Sequence, residues 1–376
     1  MSEPKCQRLF TPGPINTSAA VHRAMQRDVG SREDSFIQVV RHVRTELSRI
    51  AGGGPEFTAV PMQGSGTFAV EAAVGSLVPA DGKLLVLVNG AYGRRIVAIA
   101  ERLGIAVGCI ESPETERNDP AFVKAHLAAH PEITHVAAVH CETTTGMLNP
   151  IAEIGKVVAA SGRRFMVDAM SSFGGLPLDV AAGKIDCLIS SPNKCLESVP
   201  GIGFAIVRAA LLEESRGRAR SLSLDLSAQW DELERSGEFR FTPPTQVILA
   251  LAAALEQLAR EGGMAAREKR YRENHRALMS GMTAMGFQPV LRDELQSPII
   301  TAFHFPADPR FDFDDFYRGL VARGLVIYPG KLSLIKSFRI GTIGQLTLQD
   351  FAELLEGIRS SLDAMGLQAP PGDATP

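Results

Sequence analysis

The chain has 376 residues, 45% of them hydrophobic, and its 39 Lys and Arg against 42 Asp and Glu leave a formal net charge of −3. That balance offers no basic footprint for nucleic acid and no cationic face for a membrane surface, and no apolar run is long enough to span a bilayer. The five cysteines, Cys6, Cys109, Cys141, Cys187 and Cys195, form no C-x-x-C pair and no metal-like cluster with histidine. Reduced thiols in a cytoplasmic protein of two domains are therefore expected.

Leu9-Phe-Thr-Pro-Gly-Pro14 is too rich in proline and glycine for a helix or a central strand, and it predicts an extended arm over residues 1–20. From Phe36 onward Val39, Val40, Val43, Leu47 and Ile50 recur at helical spacing until Gly52-Gly53-Gly54 ends the helix. A strand over 57–62 runs into Gln63-Gly-Ser-Gly-Thr67, and a helix follows over 68–77. The alternation then repeats: strands at 84–88, 105–110, 135–140, 165–168 and 187–189, with helices ending near Leu103 and spanning 119–129 and 151–160. This is the pattern of an α/β fold with a mainly parallel sheet, to which 203–207 adds an antiparallel return. Phe241-Thr-Pro-Pro-Thr245 opens a long helix with Ile248, Leu251, Leu255 and Leu258 on one face, closed by Gly262-Gly263. This helix is read as joining a large domain, 21–263, to a smaller α+β domain, 264–367. The small domain is expected to hold a second helical stretch, strands near 287–291, 299–305, 326–328 and 338–340, and helices at 313–322 and from Leu348. Gln368 to Pro376 reads as a disordered, proline-rich tail.

Polar residues fall where these strands end, which is where open α/β sheets bind ligands. Gly64-Ser-Gly-Thr67 is either a tight turn or a phosphate cradle at a helix N-terminus, and it lacks both the G-K-[ST] and the G-x-G-x-x-G signatures. Asp168 closes an apolar strand and needs a partner, either a structural arginine or a protonated ring nitrogen. Thr143, Thr144 and Thr145 offer hydroxyls and Tyr92 a ring face, or only turn and packing contacts. Lys194 follows the apolar Cys187–Ile189 run and the turn Ser190-Ser-Pro-Asn193; held in a pocket, its amine would lose a proton readily and act as a nucleophile. Arg339, inside Phe338-Arg-Ile-Gly341, wants an anion for its fork. Arg32 is either a second clamp or a surface partner of Glu33 and Asp34.

In this order, and with Asn89-Gly-Ala-Tyr-Gly93, Cys141-Glu-Thr-Thr-Thr-Gly146, Asn193-Lys-Cys195, Arg240-Phe-Thr242 and Tyr328-Pro-Gly-Lys331, the chain resembles the class V aminotransferases of fold-type I over nearly its whole length. The resemblance implies pyridoxal 5'-phosphate as cofactor and a homodimer with shared active sites. It implies that Lys194 bonds to the cofactor, Asp168 pairs with its ring nitrogen and Tyr92 stacks on the ring, while Thr143, or else Thr144, meets the ring hydroxyl. Ser65, Gly66 and Thr67 would hold the phosphate, with Thr242 from the second subunit. Arg339, with Arg32 as the second candidate, would bind the substrate's anionic group.

The implied reaction moves an amino group from 2-aminoethylphosphonate to pyruvate, giving phosphonoacetaldehyde and L-alanine. An alanine- or serine-glyoxylate exchange is the alternative. A cysteine desulfurase or lyase is disfavoured, because Asn193 instead of histidine precedes Lys194 and no cysteine follows Cys195. A non-catalytic α/β binding protein would leave the polar strand tips to coincidence. Pro192, Ser198, Gly30 and Gln246 depart from the family's usual alanine, glycine, cysteine and histidine, and Ser198 and Gly30 are expected near the substrate.

Overall fold

Seven strands form the central sheet of the computed structural model, which describes residues 7–367. Their order is Phe57–Gln63, Ile202–Arg208, Cys187–Ser190, Arg164–Asp168, His135–Val139, Lys83–Val88 and Ala106–Glu111. Ile202–Arg208 runs antiparallel to both neighbours, and every other pairing is parallel. The inner strands are buried at nearly every position, as a sheet covered on both faces requires. Helices Asp34–Ile50, Gly66–Leu77, Ala91–Arg102, Pro120–Ala129 and Ile151–Ala160 lie close to their predicted bounds. The α/β architecture and the antiparallel return are as the sequence predicts. Cys6 and the tail from Gln368 lie outside the described residues.

A second core is built around Phe338 on the strand Ser337–Gly341, which pairs with Ile300–His304 and Tyr328–Pro329. Phe287, Phe303 and Phe316 stand 5.5, 5.8 and 5.4 Å from the Phe338 ring. Helices Phe313–Ala322 and Leu348–Ala364 cover it.

Four local expectations change. The strand expected at 326–328 divides: Leu325–Val326 pairs in parallel with Arg8–Leu9, and Tyr328–Pro329 turns to the other sheet. The N-terminal arm is thus extended but docked, with Phe10 fully buried and edge-on to Phe351 at 5.3 Å. Residues 287–291 make only the bridge Pro289–Phe303, through Val290 N to the Ala302 carbonyl at 2.8 Å and His304 N to the Gln288 carbonyl at 2.9 Å. The helix Thr245–Glu261 puts Ile248, Leu251, Leu255 and Leu258 into the larger core, and it is the next helix, Gly263–Ala284, that carries Leu278 and Met282 into the second core. Gly262 and Gly263, at φ 106° and 78°, make the turn between them in a left-handed conformation that a side chain would strain. Among the elements that went unforeseen are the hairpin Cys141–Glu142 with Met147–Leu148, the short helices Ala19–Ala24 and Ala209–Glu214, and the helix Leu226–Arg235 capped by Asp225.

Because Phe10 fills the second core from the far end of the chain, Phe10→Ala should cost roughly 3–5 kcal/mol in denaturant unfolding, as buried phenylalanines generally do. An unchanged midpoint would show that the arm is not part of that core.

Candidate active site

The carboxyl ends of Phe57–Gln63, Arg164–Asp168 and Cys187–Ser190, with the start of the helix after Lys83–Val88, enclose a cavity of about 170 Å³. Ser65, Gly66, Thr67, Tyr92, Asp168 and Lys194 all line it. The larger clefts of the molecule lie elsewhere and bring together no comparable chemistry.

Lys194 is largely buried, and loss of water lowers the affinity of its amine for a proton, opposed by the nearby Tyr92, Cys195 and Asp168 and assisted by Arg339. The arm roofs it. A Cβ added at Gly13 would lie 2.6 Å from Lys194 Cδ and 3.0 Å from Nζ, so only glycine leaves this lysine its place. The turn after Lys194 is held by a buried charge network. Glu197 sits at φ 59°, a conformation that costs a non-glycine residue on the order of 1–3 kcal/mol. Its carboxylate accepts from Arg270 Nη2 at 2.8 Å, Tyr271 Oη at 2.6 Å and Gln345. Arg267 donates to the Cys195 carbonyl at 2.8 Å and to Glu261 at 2.6 and 2.9 Å. The network ties the lysine's turn to the connecting helix and, through Gln345, to the C-terminal part of the chain.

Asp168 accepts a hydrogen bond from Met170 N at 2.9 Å. Burial raises its pKa to about 6, against the pull of that N–H, Lys194 and Arg95. Glu142 organises the opposite wall: its two oxygens accept from Tyr92 N at 3.1 Å, Thr144 N at 3.2 Å and Thr144 Oγ1 at 2.9 Å. This spends Thr144 and leaves Thr143 Oγ1 buried, with no hydrogen bond of normal geometry. Burial alone would raise the Tyr92 phenol, but Lys194, Thr143, Lys331 and Arg95 together draw it below its ordinary value. Tyr92 stands in the first turn of the helix Ala91–Arg102, not in a loop between glycines.

The Ser65 hydroxyl makes no capping bond, and the helix it precedes begins with N–H groups that have no intrahelical acceptor. A Cβ at Gly66 would meet Met170 Sδ at 2.4 Å. Arg339 is buried and pinned through its Nε to the Pro329 carbonyl at 3.0 Å and its Nη1 to the Thr143 carbonyl at 2.8 Å.

Thr143 and Arg339 do not line this cavity but stand beside its Tyr92 wall, and two further predicted residues are not brought to it. Arg32 is exposed and pairs with Glu238 at 3.3 Å. It shares a separate surface cleft with Thr242, whose carbonyl accepts from Gln63 Nε2 at 3.0 Å. Gly30 and Ser198 do not line the cavity either, although the Ser198 hydroxyl is buried without a partner. Three contributors escaped the sequence reading. Glu142 and Met170 looked like parts of turns, and Arg95, whose guanidinium lies 4.7 Å from the Tyr92 ring centre, is one arginine among many on helix surfaces. Its one signal was a place one turn on from Tyr92 in the helix that begins at Ala91.

The raised pKa of Asp168 has a definite sign. A carboxyl kept protonated by the fold contributes stability that is complete below its ordinary value of 3.8 and lost as pH rises through about 6. In the ligand-free protein, Asp168→Asn should therefore gain on wild type, by up to roughly 3 kcal/mol, as pH climbs from about 4 to about 7. Denaturant titrations across that range check it, and a constant difference would refute the titration.

The aminotransferase class-V family matches residues 15–338. A 2-aminoethylphosphonate–pyruvate transaminase from Syntrophobacter fumaroxidans is 51% identical over 359 residues, covering 95% of this chain and 97% of that one. Among solved structures, pyridoxamine-pyruvate aminotransferase from Mesorhizobium loti is similar at 28% identity and a TM-score of 0.89, covering 99% of this chain and 96% of its own. An alanine–glyoxylate aminotransferase from Nostoc sp. is similar at 25% identity and the same TM-score, covering 96% of each chain. On the extent of these matches and the family match over most of its length, the chain belongs to the class-V aminotransferases.

Proposed function

We propose that the protein transfers an amino group from 2-aminoethylphosphonate to pyruvate, giving phosphonoacetaldehyde and L-alanine, with pyridoxal 5'-phosphate bound in the cavity around Lys194. The observation that carries the donor is the likeness, at about half of all residues, to a relative bearing that activity's name. The cavity fits the cofactor on its own terms. Thr143 Oγ1 is a buried hydroxyl beside the Tyr92 phenol with no hydrogen bond of normal geometry, suited to a ring hydroxyl. Ser65, Gly66 and Thr67 offer a helix N-terminus and hydroxyls for a phosphate, and the lack of a side chain at Gly66 keeps that approach open. Asp168 lies at the cavity floor as an acid whose proton is easily surrendered to, or shared with, a ring nitrogen.

When bound, pyridoxal phosphate supplies an electron sink for the pair left at the substrate's amine-bearing carbon. The chain's residues do the rest. Lys194, poor in water and short of a fixed ion-pair partner, is a base able to take a proton from that carbon and return it. Asp168 keeps a positive ring nitrogen favourable. Tyr92 gives a flat face backed by Glu142, and the arm with Gly13 shields the lysine from solvent. Arg339 presents a fixed fork to an anionic group.

The boundary at about residue 263 between a cofactor-binding part and a C-terminal part rests on the two separate apolar cores. A homodimer is proposed because Thr242 faces away from its own cavity, beside Phe241, 43% exposed, with Phe68, 50% exposed, next to the phosphate cradle. A cytoplasmic setting accords with free thiols at Cys109, Cys141, Cys187 and Cys195; among the described residues no helix is long and apolar enough to cross a membrane. An alanine-glyoxylate exchange is the second reading, favoured by the likeness to the Nostoc protein.

Purified enzyme mixed with each amine in turn should lose the visible absorbance of its bound cofactor with 2-aminoethylphosphonate. A response to serine or alanine and none to the phosphonate would overturn the donor. Lys194→Ala should lose that absorbance from the outset and slow turnover by roughly 10²–10⁴ or more, the range for losing a positioned proton carrier. Turnover at the wild-type rate would remove Lys194 from the chemistry.

A further inference from the structure

We infer that Lys331 is a specificity residue that, with Arg339, recognises the dianionic head of a phosphonate donor. The inference rests on the proposed function and concerns a residue that the proposal leaves without a role.

The two cations reach the site from one small sheet. Tyr328 pairs with Arg339 across the antiparallel ladder, and the Pro329 carbonyl accepts from Arg339 Nε, so the backbone that fixes Arg339 continues directly through Gly330 to Lys331. Lys331 Nζ then stands 5.9 Å from the centre of the Tyr92 ring. Neither cation has a carboxylate partner among the described residues: Arg339 gives its bonds to carbonyls, and the Lys331 amine has only the Tyr92 ring near it. Most other arginines of the chain do find acids, as Arg8, Arg164, Arg216, Arg270 and Arg310 do. With Arg95, which among the described residues also lacks a carboxylate partner and lies 4.7 Å from the Tyr92 ring centre, these uncompensated cations are suited to a ligand that brings more than one negative charge.

Their difference in mobility suits a division of labour. Arg339 is buried and rigid, a bidentate partner for two oxygens of either a carboxylate or a phosphonate. Lys331 is a point charge on a flexible stem at an exposed position, able to follow a third oxygen that only the phosphonate has. Its loop is not loose. Ser333 donates to Glu114 Oε2 through its N–H at 3.1 Å and its hydroxyl at 2.9 Å, which fastens the C-terminal sheet's loop to the larger core. Leu334, beside this latch, is 94% exposed, so the loop is held by those polar bonds and not by apolar packing there. A carboxylate acceptor such as pyruvate is satisfied by Arg339 alone.

The test compares wild type, Lys331→Met and Lys331→Arg holoenzymes. One readout is KM for the donor and for pyruvate. The other is binding of ethylphosphonate and of propionate, which lack an amine and report through the shift they cause in the cofactor's absorbance. Lys331→Met should weaken 2-aminoethylphosphonate and ethylphosphonate by roughly tenfold or more, the usual consequence of losing a charge-assisted bond. Pyruvate and propionate should move by no more than about twofold, and Lys331→Arg should recover most of the loss. Equal weakening of both anions, or no change in either, overturns the assignment. Wild type that prefers ethylphosphonate to propionate through Lys331 but does not convert 2-aminoethylphosphonate overturns the donor and keeps the anion site. Wild type that converts the donor while Lys331→Met behaves identically does the reverse.

Discussion

The structure depends on keeping one amine out of water without giving it a permanent counter-ion. A buried ammonium without a partner is costly, so the Lys194 environment shifts the balance toward the neutral, nucleophilic form. Asp168 and Tyr92 are near enough to favour its charge but do not form an ion pair with it. Fixed pairing is placed one turn later instead. There Glu197, Arg267, Arg270 and Glu261 satisfy one another, and breaking such a buried pair commonly costs about 3–5 kcal/mol. That energy outweighs the strain of Glu197's left-handed backbone, which explains how a non-glycine residue is kept in that conformation.

What could be read from the sequence follows from how local each signal is. The helices and buried strands of the larger core carry their periodicity within ten residues, and all the expected strand tips do meet at one edge of the sheet. Non-local pairings left no such trace. Nothing in Leu9 to Pro14 announces a partner at Leu325, and nothing in Val326-Ile-Tyr328 shows that its two halves join different sheets. The helix expected to connect the two parts was chosen because its apolar face was clear, but a clear face marks a helix that stays on one core. The next helix, Gly263–Ala284, which carries Leu278 and Met282 into the second core, is mostly polar and takes part in several ion pairs.

The candidate site divides the same way. Lys194, Asp168, Thr143 and Ser65 to Thr67 were legible because each ends a strand or opens a helix in the expected order. Glu142, Met170 and Arg95 were not, since their roles arise only when loops from three strands face one another. Arg32 and Arg339 looked alike as residue types, and burial separates them: one is pinned inside, the other solvated against Glu238. The chain carries a slight negative charge overall, yet Arg95, Lys331 and Arg339 gather about Tyr92, which lines its cavity. Such a local reversal of sign attracts anionic ligands from solution and is screened by salt.

The parallel pairing of Arg8–Leu9 with Leu325–Val326 also fixes the order in which the molecule can be finished. During synthesis the arm leaves the ribosome first, yet the strand it must join follows more than 300 residues later, roughly 15–60 s at ordinary translation rates. The larger sheet, whose strands end by Arg208, can assemble meanwhile. Gly13, which lies over Lys194, belongs to the same arm, whose pairing with Leu325–Val326 must wait for the C-terminal part to be made. Until the arm is docked, the side chain of Lys194 lacks the cover that Gly13 gives it in the finished fold.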